Sequence, residues 1–253
     1  MVELAKPSGL VSTIRLRPMT GQDELMVNAA DSTSVLSLLS CLATDENGGS
    51  LDLGQLDISQ VDRLLAGLYE VLYGDQAECR VHCRFCGEGY EFSLILSELM
   101  ATQDAARPEP PGPDGTWTLP DLRRVRAPKL IDITSVPDLE SLLARLVVSG
   151  DPSLDSAMVT DFLERAAPLL NLDLEAVCPH CEQEQIARFD LARYFASRLA
   201  GERSFLLREA HLIASHYGWS HHEIMILSRT DRRAYARLIE AERTGARPIR
   251  SVR

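Results

Sequence analysis

The sequence predicts an α+β chain, mostly helical, built as two related halves followed by a C-terminal helical segment. Three observations predict it. Two Cys-x-x-Cys pairs, Cys83-Arg84-Phe85-Cys86 and Cys178-Pro179-His180-Cys181, are each followed by a short strand-like run. The stretch before each pair carries the same succession: a strand, a leucine-rich helical stripe and a longer amphipathic helix. After the second pair the apolar residues keep helical spacing nearly to the end.

The first half is expected over 1–104. Met1 to Ser12 reads as a loose lead-in. Thr13-Ile14-Arg15-Leu16-Arg17 alternates with period two, as a half-buried strand does, and Pro18 and Gly21 end it. Gln22 to Ala30 reads as a helix. Val35, Leu36, Leu38, Leu39 and Leu42 follow with helical spacing, and Cys41 beside them reads as a small core residue. Asn47-Gly48-Gly49 is a turn. From about Gln60 to Tyr73, Val61, Leu64, Leu65, Leu68, Val71 and Leu72 make one apolar stripe, and Gly74-Asp75 stops the helix. Cys79 to Cys83 alternates as a strand into the first pair. Tyr90-Glu91-Phe92-Ser93-Leu94 is the return strand, and Ser97 to Met100 a short helix.

Residues 105–117 hold Pro108, Pro110, Pro111 and Pro113 with Gly112 and Gly115, a linker by composition. The second half follows over 118–191. Residues 118–126 read as a strand, and Arg124-Val125-Arg126-Ala127-Pro128 echoes Arg15-Leu16-Arg17-Pro18. Leu139, Leu142, Leu143 and Leu146 echo Leu36, Leu38, Leu39 and Leu42. Met158 to Leu170 echoes the 60–73 helix, with Pro168 weakening its last turn. Ile186-Ala187-Arg188-Phe189 is the strand after the second pair. By residue type, Phe92-Ser93-Leu94 matches Phe189-Asp190-Leu191, two residues further from its cysteines in the second copy.

Residues 192–246 read as helices. Leu191, Tyr194, Phe195 and Leu199 give one stripe, and Phe205, Leu206, Leu207, Leu212 and Ile213 another. Ser220 and Glu223 stand at capping-box spacing. Asp231 to Glu242 is the last helix, with Tyr235, Leu238 and Ile239 inward and Trp219 anchoring the helices. Residues 247–253 are expected to be a disordered tail.

Two Cys-x-x-Cys pairs suit one tetrahedral zinc, because two intervening residues let both sulfurs of a knuckle face one point at Zn–S of about 2.3 Å. The difficulty is the 91-residue gap between Cys86 and Cys178, against roughly 15–20 in an ordinary ribbon. Related halves resolve it: each donates one knuckle to a split, zinc-ribbon-like site at their interface. The expected ligands to one structural zinc are therefore Cys83, Cys86, Cys178 and Cys181. His82 and His180 adjoin them and Cys79 lies four residues upstream, but none of these is expected in the shell. Four sulfurs leave no open position for water or substrate, so the metal is expected to be structural.

The net charge of −11 disfavours general nucleic-acid binding. No stretch approaches the roughly 20 apolar residues of a membrane span. The start of the chain lacks a charged-then-apolar signal pattern, so a cytoplasmic place of synthesis is expected, where thiols stay reduced. From Glu202 onward ten arginines face six acidic residues, which reads as an Arg-rich solvated helical surface. His211, His216, His221 and His222 read as surface or packing residues. There is no phosphate loop, dinucleotide fingerprint, nucleophile elbow or His-Glu-x-x-His, so no catalytic residue is expected.

One family shares much of this pattern. Its marks here are Leu16-Arg17-Pro18-Met19-Thr20-Gly21-Gln22-Asp23-Glu24, then Tyr73-Gly74-Asp75 ahead of Cys83-Arg84-Phe85-Cys86-Gly87 and Tyr90-Glu91-Phe92. Cys178-Pro179-His180-Cys181 follows. The last marks are Leu207-Arg208-Glu209-Ala210-His211-Leu212-Ile213-Ala214, Tyr217-Gly218-Trp219-Ser220, Glu223-Ile224 and Arg232-Arg233. On these the chain resembles the baseplate-hub assembly proteins of T-even-like phages, found also in clusters for phage-tail-like contractile injection systems. Arg84 stands where a proline is common in that family, and the 105–117 linker is long for it. The resemblance implies a non-catalytic chaperone or minor component in assembling a contractile tail's baseplate or hub. The partners it implies are baseplate, hub, spike or tape-measure proteins, with no nucleic acid and no membrane. The alternatives are a zinc-ribbon adaptor or regulator, and a thiol redox enzyme using one Cys-x-x-Cys.

Overall fold

The computed structural model describes the backbone of residues 2–5 and 11–244 and the side chains of 14–244. It is an α+β chain of short sheets and many helices. Elements β1 (Val2–Ala5), β2 (Val11–Leu16), α1 (Gly21–Met26), α2 (Ser32–Leu42), β3 (Ala43–Thr44), α3 (Ile58–Tyr73), β4 (Gln76–His82), β5 (Gly89–Ile95) and α4 (Leu96–Ala105) come first. The second series is β6 (Thr116–Thr118), β7 (Arg124–Arg126), α5 (Leu130–Ser135), α6 (Leu139–Leu146), β8 (Val147–Ser149), α7 (Ser156–Ala166), β9 (Asn171–Val177), β10 (Glu184–Asp190) and α8 (Leu191–Gly201). Then come α9 (Arg203–Tyr217), α10 (His221–Met225) and α11 (Arg229–Arg243). No helix among the described residues is long and apolar enough to cross a membrane.

Apart from a short 3-10 turn at Leu53–Gln55 in the first, the two series match element for element. Each begins with a three-stranded sheet of like order, β1-β2-β3 and β6-β7-β8, and each later forms a two-stranded hairpin, β4-β5 and β9-β10. Local hydrogen bonding repeats too. The Arg17 guanidinium grips both Asp23 carboxylate oxygens at 2.7 Å, and Asp23 accepts from the Thr20 N–H. Arg126 grips both oxygens of Asp132 in the same way, and Asp132 accepts from the Lys129 N–H. Each carboxylate thus caps a six-residue helix, satisfying amides left open at a helix start. Burial pushes Asp23 up, but Arg17 and Thr20 outweigh it and hold it below the usual carboxylate range. Asp132 is held low by Arg126.

Long amphipathic helices follow. An Asp57–Gln60 capping box starts α3, and Gly74 ends it at φ +84°, a left-handed backbone that glycine adopts without steric cost. Val71 is 77 % exposed, so the apolar stripe read over 60–73 is narrower than expected. Helix α7 ends at Ala166, ahead of Pro168. Leu119, Val125, Leu143, Leu146, Val147, Val159 and Leu163 form one core cluster, with Trp117 and Phe162 against it.

Several expectations change. Strands β1 and β2 pair antiparallel, so the expected loose lead-in contains a strand. The run 118–126 is not one strand but β6, a turn and β7. Pro120 cannot donate to a ladder, and the turn closes by the Leu122 N–H to the Leu119 carbonyl at 2.9 Å. Cys41 is exposed, on the side of α2 away from its buried Val35, Leu38, Leu39 and Leu42. Phe205, Leu207 and Leu238 are exposed rather than inward. Residues 105–117 carry the end of α4, the start of β6 and a loop held by the Trp117 indole N–H on the Glu109 carbonyl at 2.7 Å. The expected tail 247–253 lies outside the described residues.

The chain gathers into two compact units. One comprises 1–15 and 44–191, and holds both hairpins. The other comprises 16–43 and 192–253, joining α1 and α2 to the C-terminal helices. In this second unit Leu212, Ile213, Ile224 and Ile239 form a core with Trp219 and Tyr235 against it. The Ser220–Glu223 capping box opens α10 as the spacing predicts. The arginines of α11 are not all solvated. Arg232 has no exposed surface, and its guanidinium meets Glu24 and, at 2.9 Å, Glu209. Arg229 is also buried and meets Glu24 and Glu202. Composition did not show this pairing, because the acidic partners come from α1, α9 and the residue before α9.

Candidate metal centre

Each hairpin carries its cysteines at the turn. Strands β4 and β5 pair from Gln76↔Ile95 to His82↔Gly89, and β9 and β10 from Asn171↔Asp190 to Val177↔Glu184. Cys83 and Cys178 are the first residues beyond the ladders. Their N–H groups bond to the Glu88 and Gln183 carbonyls at 2.9 and 3.0 Å. Their own carbonyls accept from the Gly87 and Glu182 N–H groups at 2.9 Å. Both turns therefore have one geometry, including a left-handed residue, Gly87 at φ +79° and Glu182 at φ +59°. This positive φ is why glycine follows the first pair; the second bears the strain on a non-glycine residue.

The match runs on at a constant separation of 95 positions. After each hairpin the first helical N–H turns back to the residue before the hairpin: Leu96 to Asp75 at 3.0 Å and Leu191 to Leu170 at 2.9 Å. Leu94 is thus the equivalent of Phe189, and Leu96 of Leu191. The sequence pairing of Phe92 with Phe189 was out by two residues, because backbone count fixes equivalence and residue type does not.

The turns bring all four expected ligands together. The sulfurs of Cys83, Cys86, Cys178 and Cys181 lie within 4.8 Å of one another. Cys83 Sγ is 3.6 Å from Cys181 Sγ, and Cys86 Sγ is 3.8 Å from Cys178 Sγ. A tetrahedron with metal–sulfur bonds of about 2.3 Å has edges of about 3.8 Å. The donor set and its spacing therefore fit one tetrahedral metal ion. His82 and His180 are exposed and, like Cys79, lie outside this cluster.

Cys83 and Cys178 are buried, Cys181 is half-buried and Cys86 is exposed. The Cys86 N–H, then that of Phe85, draws the Cys83 thiol down to about 6; the Phe85 N–H lies 3.4 Å from Cys83 Sγ. Cys181 shows the opposite response. The Gln183 N–H lowers it, but desolvation and the three neighbouring thiols push it up to about 12. Cys86 is likewise raised, against the pull of the Glu88 N–H. The Cys83 sulfur ionises readily, and Cys86 and Cys181 then resist. A cation at the centre removes that repulsion and lets all four ionise.

The interface between the hairpins is built from equivalent positions. Tyr90 and Gln185, 95 positions apart, touch each other: the Gln185 side-chain amide donates to the Tyr90 hydroxyl at 2.7 Å. Exchange of the hairpins also turns the Cys83–Cys181 contact into Cys178–Cys86. These are the features of a twofold, self-complementary contact. Symmetry breaks at Arg84, whose N–H donates to Gln185 Oε1 at 2.9 Å; its counterpart Pro179 has no N–H to give. Tyr90 and Gln185 escaped the sequence reading, although the separation of the cysteine pairs, applied to Tyr90, leads to Gln185. Val81, Phe92 and Ala176 pack around the buried Cys83, Tyr90 and Cys178.

No protein-family model, curated protein or solved structure matches this chain.

Proposed function

We propose that the chain is a non-enzymatic assembly factor or minor structural component for the baseplate or hub of a contractile phage tail or phage-tail-like injection system. In this reading one structural zinc fixes the pose of its two hairpins. The observation carrying the metal role is the convergence of four thiols from two equivalent turns at tetrahedral spacing. All-thiolate donors favour zinc among soft cations, and four of them close its coordination. The ion would contribute folding free energy and no bond-making chemistry. Cys83, Cys86, Cys178 and Cys181 would hold it, while the hydrogen bonds of Arg84, Tyr90 and Gln185 set the hairpins against each other.

The process rests on the family resemblance. It gives a chain made in the cytoplasm, with baseplate, hub, spike or tape-measure proteins as partners and no nucleic acid or membrane. The two hairpins would then be the metal-joined ends of duplicated halves, a zinc ribbon split across the sequence. Two measurements test the reading. Elemental analysis of the purified chain should give about one zinc per molecule, with Cys83→Ser and Cys178→Ser losing the zinc and the cooperative unfolding transition together. Co-expression with a hub, spike or tape-measure protein encoded beside it should give a co-purifying complex. A metal-free, fully folded chain sinks the structural-zinc role, and failure to bind any neighbouring tail protein sinks the assembly role. A zinc-loaded chain that binds nucleic acid instead would favour the adaptor alternative.

A further inference from the structure

We infer that the four-cysteine centre is also an oxidative modification site, in which hydrogen peroxide converts the thiolates to two disulfides that cross between the hairpins and expel the metal. The inference rests on the metal reading above and concerns which sulfurs pair. Cys83 Sγ lies 3.6 Å from Cys181 Sγ and Cys86 Sγ lies 3.8 Å from Cys178 Sγ, and both contacts cross from one hairpin to the other. Each joins a buried sulfur to a more accessible one: Cys178 to the exposed Cys86, and Cys83 to the half-buried Cys181. An accessible thiolate beside a buried resolving thiol is the arrangement in which sulfenic acid is captured as a disulfide before further oxidation.

The chemistry balances with peroxide as the only oxidant. The Cys86 thiolate attacks one peroxide oxygen; the O–O bond breaks, Cys86 becomes the sulfenic acid, and the other oxygen leaves as water with a proton from solvent. The Cys178 thiolate then attacks the Cys86 sulfur, the S–S bond forms, and the sulfenic oxygen leaves as a second water with another solvent proton. Cys181 and Cys83 repeat the sequence with a second peroxide. Two peroxides thus take four electrons from four thiolates, and the cation, left without anionic donors, dissociates. Because both new bonds cross between hairpins, the pose first held by the metal persists as a covalent one.

The test uses the full metal-loaded chain with Cys41→Ser, which removes an exposed thiol outside the centre. Hydrogen peroxide is titrated in, a chromogenic chelator reads the released metal, and the product is digested without reduction for disulfide mapping by mass spectrometry. The expected result is complete metal release at two peroxides per ion, with peptides linked Cys83–Cys181 and Cys86–Cys178. Cys86→Ser should retain a Cys83–Cys181 link; if it does not fold, the mapping on the parent chain stands alone. Links within each Cys-x-x-Cys, sulfinic acids in place of disulfides, or retention of metal at excess peroxide would each overturn the inference. A chain that carries no metal when isolated instead refutes the earlier metal reading, and mapping of its peroxide product still decides the pairing.

Discussion

Asp62 offers a direct test of the energetics in the unit that holds the hairpins. It lies on α3, accepts a hydrogen bond from the Leu170 N–H and sits near Asp190. Burial, and then the Asp190 charge, push its pKa from 3.8 to about 6 against the pull of Leu170. A folded-state pKa above the unfolded value means the native chain binds the proton more tightly. Stability from this group is therefore fully present below pH 3.8 and is lost as pH rises toward 6, beyond which the charged buried carboxylate carries its full cost. That cost is about 3 kcal/mol, at about 1.4 kcal/mol per pKa unit. Asp62→Asn stays neutral and keeps an oxygen for Leu170. It should be more stable than the parent by about 3 kcal/mol at pH 8, with the advantage shrinking to about 1.5 kcal/mol at pH 5. Urea unfolding of the metal-loaded chains across pH 5–8 measures this, and taking the difference cancels the metal's own pH dependence. An advantage that does not change with pH, or a variant less stable than the parent at pH 8, would refute the argument.

Three further outcomes follow from the same reasoning. Tyr90→Phe leaves the buried Gln185 amide without its 2.7 Å acceptor, so unfolding free energy should fall by about 1–3 kcal/mol; a change below half a kcal/mol, as a rough threshold, would mean that solvent replaces the hydroxyl. Gly87→Ala should cost about 1 kcal/mol while Glu182→Gly should gain a comparable amount, because both positions are left-handed; differential scanning calorimetry should show shifts of opposite sign. Arg232→Ala removes the shared partner of Glu24 and Glu209 inside the second unit, at a cost of about 3–5 kcal/mol. Thermal unfolding of that variant close to the parent's would show that the buried pairing contributes little.

The sequence reading succeeded where the signal was local. The stripe of Val61, Leu64, Leu65 and Leu68, the Ser220–Glu223 cap and the strands flanking Cys83 are legible because periodicity and cap spacing act within a turn or two of backbone. The reading failed where solvent exposure depends on distant elements. Val71 and Leu238 keep helical spacing yet face outward, and Arg232 reads as surface yet is buried, since its partners Glu24 and Glu209 stand 208 and 23 residues away in sequence. Strand β9 went unread although Leu172, Leu174 and Ala176 alternate with Asn171, Asp173 and Glu175; its seven-residue pairing with β10 identifies it.

The two Cys-x-x-Cys pairs show where that division lies. Sequence alone identified which four residues could act as ligands and that a strand follows each pair, because knuckle chemistry is written in adjacent residues. The repeat of the halves led to the expectation that the pairs meet, but it did not show the packing that brings them together. Closing a 91-residue gap has an entropic cost that only the folded chain between them can offset. The tertiary structure decided that point, bringing the sulfurs within 4.8 Å. It did so by setting equivalent positions of two like hairpins against each other, Tyr90 on Gln185 and Arg84 on Gln185. Residue identity supplied the donors; long-range packing supplied their geometry.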